Sequence, residues 1–335
     1  MEPKIQNLPI LQVKDLNLTF NIARGKARVL AGVDFNLYPN EILALVGETG
    51  SGKSVTAKSL LGLIPSRSKQ VSGQVLLDGN DLLSMPDKVL QSIRGKRISM
   101  IFQNPHSSIN PLFTLGEQVF RLIRLYLQDE IRELTKKAGI PPTEAVKRIA
   151  KEKFNEVGLR DSHRLFKSYV GQISGGMAQR VMIAQALLSS PNILIADEAT
   201  SALDVTVQAH ILKLMTNLCR QKGTAILFIT HDLGIAAQIC DRIAVMYAGR
   251  IVEIAKTKTI FSRPLHPYTK GLLNAVPKPG REGRLSFIPG MIPDLVNAPR
   301  GCRFYPRCDI ARPLCREKQP ERITVDDDHE VSCVF

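Results

Sequence analysis

The spacing of hydrophobic residues changes repeatedly along this chain, and each change marks a different kind of element. Between residues 10 and 46 apolar positions first alternate and then run together, as in Leu11-Gln12-Val13-Lys14 and Val29-Leu30-Ala31-Gly32-Val33. That spacing predicts strands of an N-terminal β-layer, leading to a buried strand at Ile42-Leu43-Ala44-Leu45-Val46. Val55 to Leu63 reads as a helix stopped by Pro65. Residues 71–82 read as two strands turned at Asp78-Gly79, and Ile98-Ser99-Met100-Ile101-Phe102 as a buried strand ending at Gln103. From about 112 to 170 the period becomes helical. Val146, Ile149, Ala150, Phe154 and Val157 recur at three- and four-residue steps before Gly158. Pro141-Pro142 separates that helix from an earlier one through Leu122, Leu125, Tyr126 and Leu134. A strongly apolar helix then runs through Leu188, followed by strands at 193–196, 225–230 and 243–246. Buried strands alternating with helices predict an α/β protein with a largely parallel sheet, and residues 112–170 a helical subdomain inserted into it.

After Arg263 the composition shifts toward Pro, Gly and Arg. Pro267 to Val276 has the make-up of one helix, and the rest is punctuated by proline. The expected boundary lies near residue 255, giving a core domain over 1–255 and a small extension over 256–335. No internal repeat or low-complexity segment interrupts this plan.

The strand–helix junction at 46–55 carries the sharpest chemistry. Gly47-Glu48-Thr49-Gly50-Ser51-Gly52-Lys53-Ser54 fits the phosphate-loop pattern G-x-x-x-x-G-K-[ST] without a mismatch. Glycines at 47, 50 and 52 let the backbone turn its N–H groups toward a phosphate. The helix N-terminus adds partial positive charge, Lys53 a full one, and the Ser54 hydroxyl suits Mg²⁺. A glycine-rich surface loop is the plain alternative, and the strand before and helix after it argue for a nucleoside triphosphate site.

Length and composition narrow the class. The chain has 335 residues, 44% of them hydrophobic, which suits a packed core rather than disorder. No apolar run reaches the ~18 residues of a membrane span, and Met1-Glu2-Pro3-Lys4 does not begin a signal peptide. The expectation is a cytosolic chain, free to sit against a membrane. The net charge of +14 raises nucleic acid as a partner. The Lys and Arg residues are spread out, however, and aromatics to stack on bases are few, so phosphorylated ligands and an anionic membrane leaflet are the milder reading. Of six cysteines, Cys219 and Cys240 stand alone and read as small buried apolar residues. Cys302, Cys308, Cys315 and Cys333 gather near the end, which in a cytosolic chain points to metal rather than disulfides.

The phosphate loop, Gln103, Ser174-Gly175-Gly176, Asp197-Glu198, Asp204 and His231 stand in the order seen in ABC-type ATPases. The chain resembles, nearly end to end, the nucleotide-binding subunit of a peptide-type ABC importer. The resemblance implies a P-loop ABC-type ATPase core with an N-terminal β-layer, an inserted helical subdomain and a small Cys-containing C-terminal extension. Lys53 and its loop would bind ATP, with Phe20 stacking on adenine, unless Phe20 is simply a core residue of its strand. Ser54, Gln103 and Asp197 would serve Mg²⁺, and Gln103 would also reach the attacking water as part of the catalytic set. Glu198 would orient the attacking water and accept its proton, and His231 would contact the γ-phosphate. Ser174, Gly175, Gly176 and Asp204 would complete the ATP site of an opposite subunit. Ala199 replaces the usual proline after the glutamate and Ala178 the usual arginine of the second motif, which leaves rate and interface detail open.

The tail narrows the resemblance. Leu265-His266-Pro267-Tyr268-Thr269-Lys270-Gly271-Leu272-Leu273 resembles the segment of dipeptide, oligopeptide and nickel importers, as do Ile288-Pro289-Gly290, Pro293-Asp294-Leu295 and Gly301-Cys302-Arg303-Phe304. Some of these importers are similar in carrying a 4Fe–4S cluster on four such cysteines. Zinc and unliganded thiols are the alternatives. The resemblance implies a second ATPase subunit, a paralogue by the asymmetric tail, two membrane permease subunits and an extracytoplasmic solute-binding protein. It implies a peripheral place on the cytoplasmic face of the inner membrane, with no nucleic acid. The expected work is ATP-driven import of small peptides. Nickel or metal-chelate uptake is the nearby alternative, and a soluble ABC ATPase of DNA repair or translation is the rival from another class. A cluster-sensing regulator stands against the complete hydrolytic set.

Overall fold

The computed structural model describes residues 8–65, 69–276, 287–326 and 328–334. In chain order the strands are β1 (Leu11–Ile22), β2 (Gly25–Leu37), β3 (Ile42–Val46), β4 (Lys69–Leu77), β5 (Asn80–Asp81), β6 (Ile98–Ile101), β7 (Ile193–Asp197), β8 (Ala225–Thr230), β9 (Arg242–Tyr247), β10 (Arg250–Lys256), β11 (Ile323–Asp326) and β12 (His329–Val331). The chain divides into two compact units, Met1–Asp87 with Leu227–Phe335, and Lys88–Ile226.

The first unit holds the predicted β-layer, an antiparallel sheet in the order β2-β1-β4-β5. Its hairpin β4–β5 turns at Asp78 and Gly79, both with positive φ (47° and 82°), as the Asp-Gly signal requires. The second sheet of this unit runs β11-β12-β10-β9-β3-β8. β3 pairs in parallel with β9 from Leu43↔Arg242 to Val46↔Val245, and every residue of β3 is buried, which is why it reads as an unbroken apolar run. The expected parallel sheet has an antiparallel continuation here, because β10 pairs antiparallel with β9 and β12 with β10. Glu253, buried in the middle of β10, interrupts the apolar pattern of that strand. Its carboxylate accepts the N–H groups of Leu265 and His266, at 2.8 and 3.0 Å, and faces His329 Nε2 on β12 at 2.8 Å. A buried carboxylate with that many donors is satisfied, and it ties β10, β12 and the helix Pro267–Ala275 together.

In the second unit β6 and β7 pair in parallel, Ile98↔Ile193 to Ile101↔Ala196. Between them lie the helices Leu115–Tyr126, Gln128–Ala138, Pro142–Glu156 and Ser162–Lys167. Thr114 and Glu117 form a capping box at the first of these, the Glu117 N–H donating to Thr114 Oγ1 (3.2 Å) and the Thr114 N–H to Glu117 Oε2 (2.8 Å). Val146, Ile149, Ala150, Phe154 and Val157 are all buried, and the rings of Phe154 and Phe120 pack on Phe166. Gly158, with φ 75°, ends the stretch. One expectation is corrected. The single helix through Leu122, Leu125, Tyr126 and Leu134 is two helices broken at Leu127, whose φ and ψ are −117° and 38°. Leu127 turns into the core there, while Leu125 is left exposed, off the apolar face.

Candidate nucleotide site

In the first unit the phosphate loop follows β3 directly. Gly47 has no room for a side chain, since a Cβ there would collide with the Met246 carbonyl oxygen at the end of β9. Gly52, with φ 109°, is the left-handed residue from which the helix Lys53–Leu60 starts. The buried Ser51 accepts the Gly249 N–H at its carbonyl (2.7 Å), so the turn between β9 and β10 braces the loop from behind. Lys53 is buried, and its Nζ donates to the carbonyl oxygens of Gly47 (2.7 Å) and Glu48 (2.9 Å). The ammonium is thereby folded over the loop that an anion would occupy. Thr49 and Gly50 face solvent, and Ser54 is half-buried at the helix start. Glycine-shaped backbone, a helix N-terminus and an inward ammonium fit a polyphosphate and its Mg²⁺. Phe20 is half-buried on β1, opposite Ala27 and Lys69. His231 lies exposed just past β8, and Asp232 beside it caps the helix Leu233–Ile239 through Gly234 and Ile235 N–H groups at 2.7 and 3.1 Å.

In the second unit the predicted acidic pair stands at the end of β7. Asp197 is buried in the strand and Glu198 is half-buried in a turn with φ 49°, a conformation uncommon for a residue with a side chain. Gln103, just past β6, donates from Nε2 to Glu198 Oε2 at 2.8 Å. Two residues 95 positions apart thus share one hydrogen bond. Ser174 caps the helix Gly175–Leu187, accepting the Met177 N–H at 3.3 Å, and Gly176 lies close under the Ala202 carbonyl, where a Cβ would come to 3.3 Å. Asp204 caps the helix Val205–Lys222 through the Val207 N–H at 2.9 Å. Ala178 and Ala199 are both fully buried.

Gln179 was not among the predicted residues. It is fully buried, and its Nε2 donates to the carbonyl oxygens of Ala199 and, at 3.4 Å, Glu198. Ser201 supports the same Glu198 carbonyl through its N–H (3.2 Å) and its Oγ (3.0 Å). A buried glutamine on an apolar helix face was the signal that could have found it, because such an amide needs a partner.

The four tail cysteines line one small cavity with His266, Phe304 and Ile310. Its volume of ≈ 10 Å³ is about that of a single water. Among the described residues no set of three or more His, Cys, Asp or Glu side chains is arranged to hold a metal ion. The expected 4Fe–4S cluster, or zinc, is therefore not supported by this arrangement. Burial raises the Cys302 and Cys308 thiols and pushes Cys333 up to about 11, so without a metal beside them these thiols stay protonated at neutral pH. Burial also lowers His266 to about 3, with Lys270 adding to the shift, so its neutral Nδ1 accepts the Tyr268 N–H at 3.1 Å. Cys219 and Cys240 are buried as expected.

Among the described residues no helix is long and apolar enough to cross a membrane. The ABC transporter family profile matches residues 30–201, and the profile of the oligopeptide/dipeptide transporter C-terminal region matches 252–315. The chain is 43% identical to a probable peptide ABC transporter ATP-binding protein, y4tR, of Sinorhizobium fredii, over 97% of this chain and 94% of that one. It is 42% identical to the dipeptide transport ATP-binding protein DppD of Bacillus subtilis, with the same coverage. It is also 42% identical to the oligopeptide transport ATP-binding protein OppD of Salmonella typhimurium, over 93% and 89%. A solved dimer of the ATP-binding cassette MJ0796, in a post-hydrolysis state with ADP and Pi, is similar in fold. Its TM-score is 0.63 at 28% identity, covering 74% of this chain and 98% of that one. The chain belongs to the ABC transporter family, as an ATP-binding and ATP-hydrolysing subunit whose C-terminal region is of the oligopeptide/dipeptide transporter type.

Proposed function

We propose that this chain hydrolyses ATP to power the import of di- and oligopeptides through separate membrane permease subunits. The observation that carries the reading is the 2.8 Å bond between Gln103 and Glu198 at the strand ends of a unit that also presents Ser174 and Asp204 as helix caps. An amide that holds a carboxylate in place is what a base that orients one water requires. We assign ATP binding to the loop Gly47 to Ser54, with Lys53 as the charged donor to the β- and γ-phosphates and Phe20 as the adenine contact. Mg²⁺, assigned to Ser54, Gln103 and Asp197, supplies neutralisation of phosphate charge. Glu198 takes the proton of the attacking water and His231 donates to the γ-phosphate. Ser174, Gly175, Gly176 and Asp204 act on the nucleotide of a second ATPase subunit, a paralogue. We keep residues 1–255 as the ATPase domain and 256–335 as the importer-type extension.

The relatives' names support peptides as cargo; two permeases, an external solute-binding protein and a place on the cytoplasmic face of the inner membrane rest on the family resemblance. ATP-driven uptake of a labelled dipeptide into vesicles holding the purified complex tests this. Uptake of nickel without peptide would move the cargo, and recovery of the chain with nucleic acid rather than permeases would overturn the class. A 4Fe–4S cluster on Cys302, Cys308, Cys315 and Cys333 stays a proposal that rests on the resemblance alone. No step of hydrolysis passes through it. Iron and sulfide analysis of anaerobically purified protein decides it, and stoichiometric zinc or no metal would remove it.

A further inference from the structure

Glu48 is the only acidic residue in a loop built to hold a polyphosphate, and the C-terminal region of the same unit grips it at two places. Arg307 donates from both terminal nitrogens to its carboxylate, at 2.6 and 3.0 Å, a planar fork-to-fork pair. Tyr268 accepts the Glu48 N–H at its hydroxyl, at 2.8 Å. Neither partner is a loose surface group. The Arg307 side chain is only 5% exposed, against 30% for Glu48. Its other donors go to the carbonyl oxygens of Pro289 (2.8 Å) and Ile288 (3.1 Å) and to the Tyr247 hydroxyl (3.4 Å), and it lies over the Tyr247 ring at 5.7 Å. Tyr268 is fully buried, with its ring against Tyr247 and Phe304 at centroid distances of 4.7 and 5.4 Å. The Glu48 carbonyl meanwhile accepts from Lys53 Nζ and the Ser51 N–H. One loop residue is thus fixed at its amide, its carbonyl and its side chain, and two of those three restraints come from beyond residue 260.

We infer that Arg307 and Tyr268 are positioning residues of the phosphate loop, through which the C-terminal region sets this chain's affinity for a nucleoside triphosphate. A bare carboxylate beside the phosphates would repel a ligand of several negative charges. Arg307 cancels that charge and holds the carboxylate away in a bidentate geometry that lysine cannot reproduce. Tyr268 orients the Glu48 peptide, and with it the start of the backbone cradle. The inference rests on the ATP reading of the loop.

The test is titration of Mg·ATP into the full-length chain by calorimetry, with thermal melting of the nucleotide-free protein as the folding control. Arg307→Ala is expected to weaken ATP about tenfold, the scale of a lost charge-assisted pair. Adding Glu48→Gln to that variant should recover most of the loss, because the repelling charge goes too. Raising the salt should shrink the difference between Arg307→Ala and wild type. Tyr268→Phe, which removes one hydroxyl, should cost about threefold in affinity. If Arg307→Ala does not fold, Tyr268→Phe decides the matter. Wild-type affinity in either folded variant, or no recovery in the double variant, overturns the inference. Lys53→Ala keeps the two ideas apart, since undiminished ATP binding there would instead overturn the ATP reading of the loop.

Discussion

The glycine turn of the phosphate loop is shaped by main-chain atoms, whereas the turn that carries Glu198 is held by side chains. In the loop, the Met246 carbonyl excludes any Cβ at Gly47 and the Gly249 N–H meets the Ser51 carbonyl. At the turn, the amide of Gln179 and the hydroxyl of Ser201 converge on the Glu198 and Ala199 carbonyls, while Gln103 holds the carboxylate. Main-chain shaping selects glycine, and so leaves a fixed pattern in the sequence. Side-chain shaping can be done by several residue types at scattered positions, and leaves none. The two regions should therefore respond differently to substitution: the loop in affinity, the turn in turnover.

The sharpest break between them is expected from Glu198→Gln. Losing the proton acceptor while keeping the shape should lower single-turnover hydrolysis on the order of a hundred- to ten-thousandfold, with ATP affinity unchanged. Lys53→Ala should do the reverse. Its ammonium is one of the loop's charged donors, and removing it should weaken ATP binding by about tenfold or more. Rapid-quench kinetics and calorimetry on the same preparations would separate the two. An affinity loss in the Glu198 variant as large as in the Lys53 variant would merge the regions into one.

Legibility in the sequence followed the same division. The phosphate loop and the Asp-Gly turn after β4 were readable because backbone geometry restricts which residues stand there, and β3 because its complete burial leaves an unbroken apolar run. The pairing of Gln103 with Glu198 was not, because nothing in a linear pattern says that two strand ends 95 residues apart share a hydrogen bond. β10 to β12 were missed for a related reason. A buried glutamate in β10 and only three residues in β12 hide the strand pattern, and pairing supplies what the pattern lacks. The break at Leu127 escaped because apolar residues on both sides continue the helical period through it. In the tail, cysteine spacing spoke for a ligand set, but spacing says nothing of whether sulfurs reach bonding distance.

Gln179→Met sharpens the comparison at smaller amplitude. Methionine matches the shape but donates nothing, so the Ala199 carbonyl loses its buried donor while Glu198 keeps those of Ser201. The unmet buried acceptor should cost about 1–3 kcal/mol in stability. Turnover should fall roughly tenfold as the Glu198 turn loosens, with KM for ATP little changed. Denaturant unfolding and steady-state kinetics would show both. A raised KM with normal kcat would mean that Gln179 serves binding instead.

The smallest effect is expected from Ser201→Ala. Its Oγ donates to the Glu198 carbonyl at 3.0 Å, but its own N–H donates to the same oxygen at 3.2 Å and survives the change. The residue is exposed, so water can also reach the carbonyl once the hydroxyl is gone. An acceptor that keeps other partners loses only the net value of one neutral hydrogen bond, about 0.5–1.5 kcal/mol at most. Turnover should stay within about threefold of wild type, well short of the Gln179 variant. Measured side by side with Gln179→Met, the pair asks whether the turn is held by its buried amide or by the exposed hydroxyl. If Ser201→Ala proves the more damaging of the two, the buried amide is not what holds Glu198 in its left-handed turn.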